Sequence, residues 1–365
     1  MTVRVGVVLP SLLTLGPAPS SDQIAAPPGN GFRLRYAEDL AALAEAGCTD
    51  VRIPFDWASL QPRAGAPDRD ALDWYDHVLD AAAGVGLAVW ATLYEGPLPG
   101  WFADEGGWAD GRAAGRHWPR LVELLADTFG DRVAGWFPVD RPTWLMARAH
   151  LGAGQPARPP DRERHAQALT NLVVAWRDAW RILRGGPPVC LALDLAVVRA
   201  TGDAVEAREE ARRRDRTMWN LWLQALRDGT VAVPGLAERE VADLQGACDR
   251  IGVDVTFPEP TATHDALARF ADDTGSVLRR LAEEAPDRPM VVSSLTTTRA
   301  DDEDRTQVID VFGDVLRLAR RDGIPIDLAF HRPGIDRPDT EASAGLLDGD
   351  RVAKPSAEHW RALGG

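Results

Sequence analysis

Short runs of apolar and β-branched residues alternate with longer segments whose apolar positions recur every three or four residues. The short runs fall at residues 3–9, 50–54, 87–94, 132–139, 189–195, 250–257, 289–295 and 325–331. Their length and flanking turn residues predict buried strands. The longer segments, 32–46, 70–85, 112–129, 161–183, 203–227, 265–285 and 305–321, read as helices, and a last helix starts near Ser356. Tyr36, Leu40 and Leu43 share one face of the first, and Gly47 stops it. Leu169, Leu172, Val173, Trp176 and Trp180 lie at helical spacing and read as core. Gly275 is expected to interrupt its helix, and residues 11–31, rich in Pro, Ser, Gly and Ala, read as a loop. Eight strand–helix alternations without a repeat or linker predict an α/β fold, a single (β/α)8 TIM barrel over residues 1–365.

Composition narrows the partners. With 41 Lys and Arg against 55 Asp and Glu, the net charge is −14, which disfavours nucleic acid and anionic membranes. Lys354 is the sole lysine, and the Ala, Gly, Pro and Arg content suggests a high-GC genome of the actinobacterial kind. Cys48, Cys190 and Cys248 are odd in number and widely spaced, as expected of buried small hydrophobes rather than a disulfide framework or zinc site. Met1 leads into VRVGVVLP without a basic stretch or long apolar run, so a soluble cytoplasmic protein is expected. No P-loop or dinucleotide fingerprint appears, and neither a cofactor nor a metal is assigned. The oligomeric state is left open.

In a parallel barrel the C-terminal ends of the strands face the active site. The stretch WFPVDRP, residues 136–142, ends a strand there with the charged pair Asp140–Arg141. Charges in such a place need partners or work. One reading is a buried ion pair that holds a loop; the other is a functional site.

The surrounding residues carry a resemblance. TLYEGPLPGWFADEGGW, residues 92–108, and FGDRVAGWFPVDRP, residues 129–142, resemble the TLYHWDLP, GGW and FGDRV..W.TLNEP motifs of glycoside hydrolase family 1, the retaining β-glucosidase family. IPFDWASLQP, EAREEARRRDRTMWNLWLQALRDG and the ending RVAKPSAEHW are similar to further motifs of that family. The resemblance covers nearly the whole chain and implies the same barrel. It also implies two glutamates, an acid/base after the fourth strand and a nucleophile after the seventh. Here Arg141 stands at the first position and Ser294, in VVSSL, at the second. An arginine stays protonated and cannot protonate a leaving group, and a serine needs a base beside it to attack.

The sugar-holding positions differ too. Glu95-Gly96 replaces a His-Trp pair, Asp140 an Asn, Thr256 a Tyr, and RPGIDRPD, from Arg332, a Trp-rich motif. Arg52 and Trp57 are retained. Glu95, Asp140 and Asp254 are the candidate acid–base carboxylates. Arg52, Trp57, Tyr94, Arg141, Asp194, Ser294, His331 and Arg332 are the candidate substrate-binding residues. Three readings follow: an acid–base enzyme for a small polar organic molecule, a non-catalytic pseudo-glycosidase plugged by internal ion pairs, or an unorthodox, substrate-assisted glycoside hydrolase.

Overall fold

The computed structural model describes residues 3–152, 159–297, 301–338 and 344–365. Met1, and Asp339 at the end of RPGIDRPD, lie outside the described residues. The eight barrel strands are β1 (Arg4–Val8), β2 (Asp50–Pro54), β3 (Ala88–Thr92), β4 (Gly135–Phe137), β5 (Cys190–Leu193), β6 (Arg250–Phe257), β7 (Met290–Thr297) and β8 (Ile326–Arg332). All pair in parallel, in the spatial order β4-β3-β2-β1-β8-β7-β6-β5. Parallel bridges between Trp136 and Val189 and between Asp140 and Ala192 bring β4 to β5. Trp136 N–H donates to Pro188 O at 2.9 Å, and Arg141 N–H to Ala192 O at 3.1 Å. The second bridge lies just beyond β4, so barrel closure itself fixes the Asp140–Arg141 backbone.

Alternation along each strand sorts side chains between the barrel interior and the helix layer. Val8, Trp90, Phe137, Cys190, Ala192, Val291, Leu328 and Phe330 form the interior cluster. The large Trp90 ring fits because Gly135 stands opposite: a Cβ at Gly135 would meet that ring at 2.2 Å. The other alternate residues pack against the helices in a larger core.

Asp68, Asp110, Asp161, Thr263 and Asp301 cap helix N-termini by accepting backbone N–H groups. Gly275 does not interrupt its helix, which runs unbroken over His264–Glu284. Phe270, Val277, Leu278 and Leu281 are buried along it, and that burial exceeds the roughly 1 kcal/mol penalty of one interior glycine. The helix expected at 203–227 is three segments: Val205–Asp215, a π-helical turn Arg216–Asn220 and Leu221–Asp228. The expected loop 11–31 begins with a short helix, Ser11–Thr14. A further helix, Pro142–His150, follows β4 directly, and its Pro at N1 suits a helix start. All three cysteines are free and buried, and burial pushes the Cys48 and Cys248 thiols up to about 12. Among the described residues no helix is long and apolar enough to cross a membrane.

Candidate functional site: an arginine-clamped carboxylate beside a charged cavity

Above the apolar interior cluster lies a layer of charge. Arg52 on β2 is fully buried, and its guanidinium sits 4.1 Å from the Phe137 ring centroid. Its Nε donates to Thr92 Oγ1 at 2.7 Å and its Nη1 to Ser293 O at 3.2 Å. Its Nη2 lies 2.7 Å from Asp140 Oδ1. This contact is ionic but poorly directed, and neither atom has a hydrogen-bond partner of good geometry. The other oxygen, Asp140 Oδ2, accepts from Arg332 Nη1 at 2.7 Å and from Arg141 Nε at 3.3 Å. Three guanidiniums therefore converge on one carboxylate that is 1% exposed. Burial alone would raise the Asp140 pKa; Arg52, Arg332 and Arg141 outweigh it and hold the carboxyl well below the usual range.

Arg332 continues the network. Its Nη2 reaches Glu95 Oε2 at 3.3 Å, and Ser11 N–H donates to the other Glu95 oxygen. Glu95 moves the opposite way from Asp140. Burial pushes its pKa up, Arg332 opposes this, and Asp140 adds to it. One arginine thus joins two carboxylates whose environments drive their pKa values in opposite directions.

A second group lies across the mouth. Ser294 Oγ–H donates to Asp254 Oδ1, and Thr256 Oγ1 lies 3.4 Å from Asp254 Oδ2. Asp194 is raised to about 7, first by burial and then by Asp254. The residue is partly exposed, yet its Oδ1 is sealed and has no hydrogen-bond partner.

A cavity of 870 Å³ opens beside these charges, with Ser11, Tyr94, Glu95, Arg141, Trp144 and Arg332 among its lining residues. Another, of 570 Å³, lies near Leu15, Arg33 and Ser59, away from this charge. Of the three expected acid–base carboxylates, Glu95 alone lines the large cavity; Asp140 and Asp254 do not. Arg52, Asp194 and Ser294 also stand off it.

Two expected binding residues face elsewhere. Alternation on β8 turns His331 to the opposite face from Arg332, and its ring lies 5.4 Å from that of Trp360. Its Nδ1 lies 3.0 Å from Pro333 O, and burial, with Arg305 adding, lowers its pKa to about 3. Trp57 is buried among Trp101, Phe102, Trp108 and Trp118 and donates its Nε1–H to Gln61 at 2.9 Å. Tyr94 does line the cavity, its ring 5.1 Å from that of Trp108.

Sequence reasoning missed Trp144, Thr92, and the backbone N–H of Ser11. Only Trp144 carried a sequence signal, as an aromatic residue three positions after Arg141. Among the described residues, no group of three or more His, Cys, Asp or Glu is placed to hold a metal.

Residues 20–234 match glycosyl hydrolase family 1. The chain belongs to this family. Rat Klotho is 32% identical over 182 residues, covering 48% of this chain and 17% of Klotho. Human cytosolic beta-glucosidase is 28% identical over 153 residues, covering 41% of this chain and 32% of that enzyme. Thermostable beta-glucosidase B of Thermobispora bispora is 28% identical over 221 residues, 60% of this chain and 44% of that protein. The chain therefore spans less than half the length of these curated relatives. Among solved structures, the family 1 β-glucosidase from Thermotoga maritima superposes with a TM-score of 0.81 at 16% identity, covering 99% of this chain and 96% of that one. At that identity the likeness shows the family 1 fold alone. The family match includes Asp140 and Arg141 but ends before Asp254, Ser294 and Arg332.

Proposed function

We propose that this family 1 barrel performs proton-transfer chemistry on a small polar organic molecule held in the 870 Å³ cavity, with Glu95 as the proton carrier. The reaction class is an isomerisation, cyclisation or elimination rather than retaining glycoside hydrolysis. The supporting observation is the opposite tuning of Glu95 and Asp140 about Arg332, with Glu95 on the cavity wall. Asp140 is fixed by three arginines and serves as a positioning residue. Arg332, which also lines the cavity, would steady oxygen charge that develops as the proton moves.

Retaining hydrolysis needs two carboxyl groups ~5–5.5 Å apart across the scissile bond. The resemblance instead puts Arg141 and Ser294 at those two positions, and Ser294 is fully buried against Asp254. The second reading, a non-catalytic binder, is favoured by the closed ion-pair network around Asp140.

The test screens small hydroxy acids and keto acids by scanning fluorimetry, then follows each hit by proton NMR in deuterated buffer. Exchange or product formation that Glu95→Gln abolishes supports the enzyme. Hits that bind without exchange or product support the binder.

A further inference from the structure

The outer wall of the same cavity carries Arg141, Arg148 and Arg164 together with the carboxylates Asp22 and Asp104. Trp144, on the helix after β4, is 40% exposed, the only tryptophan among the described residues that is exposed. The Arg141 guanidinium lies 4.5 Å from its ring centroid and that of Arg148 lies 5.3 Å away. Arg141 gives its Nε to Asp140 at 3.3 Å, and among the described residues its two Nη groups have no hydrogen-bond partner. Among the described residues Arg148 has the Trp144 ring and no carboxylate. Both arginines line the cavity, and so does Arg164, which holds Gly106 O at 3.2 Å.

The chain carries −14, so its overall field repels anions. Two guanidiniums with open donors, oriented by one aromatic ring at a cavity rim, run against that field. Cation–π contact pins them without using their in-plane N–H groups. Such paired forks match a carboxylate or a phosphate monoester. We propose that the molecule taken into this cavity carries an anionic group, a carboxylate or phosphate, bound at the rim by Arg148 and Arg141 beside Trp144. This deepens the reading of a small polar ligand and rests on that ligand entering the same cavity. Glu95 then lies at the deeper end, so charge orients the molecule with its anion outward and its reacting end inward.

Two measurements test it. First, iodide and caesium quenching are compared in the wild type and in Trp144→Phe. The fluorescence that Trp144→Phe removes should be quenched several-fold better by iodide, and Arg148→Gln should narrow the gap. Equal quenching overturns the proposal.

Second, benzoate, phenyl phosphate and neutral benzyl alcohol are titrated at constant ionic strength. Arg148 is exposed, so Arg148→Gln should fold normally. It should weaken at least one anion about tenfold, the scale of a lost charge-assisted hydrogen bond, and leave benzyl alcohol unchanged. The anion that responds, or both, identifies the group. Equal binding of the three probes, or anion binding indifferent to Arg148→Gln, overturns the proposal. Glu95→Gln should retain anion binding, so failure of the proton-transfer reading leaves a different signature from failure of this one.

Discussion

Arg52 and Asp140 meet at 2.7 Å inside the barrel, with 0% and 1% of their side chains exposed. Neither could stay charged there alone, because burying a lone ion costs several kcal/mol. Asp140→Ala leaves Arg52, Arg141 and Arg332 facing each other and should destabilise the fold by roughly 3–5 kcal/mol. Arg52→Met with Asp140→Asn should cost less than the sum of the two single changes. Urea unfolding of the four proteins checks this; additive losses would mean that the pair is not coupled.

The same residue sets an acid limit. Asp140 has a depressed folded pKa, so its stabilisation is present above its unfolded pKa of about 3.9 and lost as pH falls below it. Asp140→Asn should therefore flatten the acid side of the stability profile, read as the urea midpoint against pH.

Asp194 has the opposite sign. Its folded pKa is raised to about 7 by burial. Between an unfolded value of about 3.9 and that value, the unfolded chain releases a proton that the folded chain keeps. Stability therefore falls with rising pH across that window and the penalty is constant above it. Asp194→Asn should raise the urea midpoint over wild type more at about pH 8 than at about pH 5. An equal gain at both would show that Asp194 ionises freely in the fold.

Glu95 carries the chemistry in the proposed function. Glu95→Gln should lower turnover of an identified substrate by about 10²-fold or more while leaving its binding within a few-fold. A parallel loss of binding and turnover would instead make Glu95 a binding residue.

A panel of nitrophenyl glycosides addresses hydrolysis. Activated leaving groups need little acid help, so the panel reports mainly on the nucleophile. No nitrophenol release above background is expected, because Ser294 is buried and holds Asp254. Release across the panel would support a substrate-assisted or unorthodox hydrolase and remove the proton-transfer reading.

The sequence by itself determined the barrel. Eight apolar runs and their helical partners are local patterns, and the positions of Asp140, Arg141 and Glu95 at strand ends follow from them. Family motifs such as FGDRV and GGW are contiguous and legible in the same way. Helix details were less so, since the break expected at Gly275 depends on propensity, which the buried face of His264–Glu284 overrides. Which candidates lie together was decided only by the tertiary structure. Arg332 lies 192 residues from Asp140 and 237 from Glu95, and only barrel closure makes it their shared partner. Strand alternation turned His331 outward, and aromatic packing drew Trp57 into the helix layer. Sequence fixes the kind of charge at each strand end; its protonation depends on burial and on which distant charges stand beside it, and both exist only once the barrel has closed.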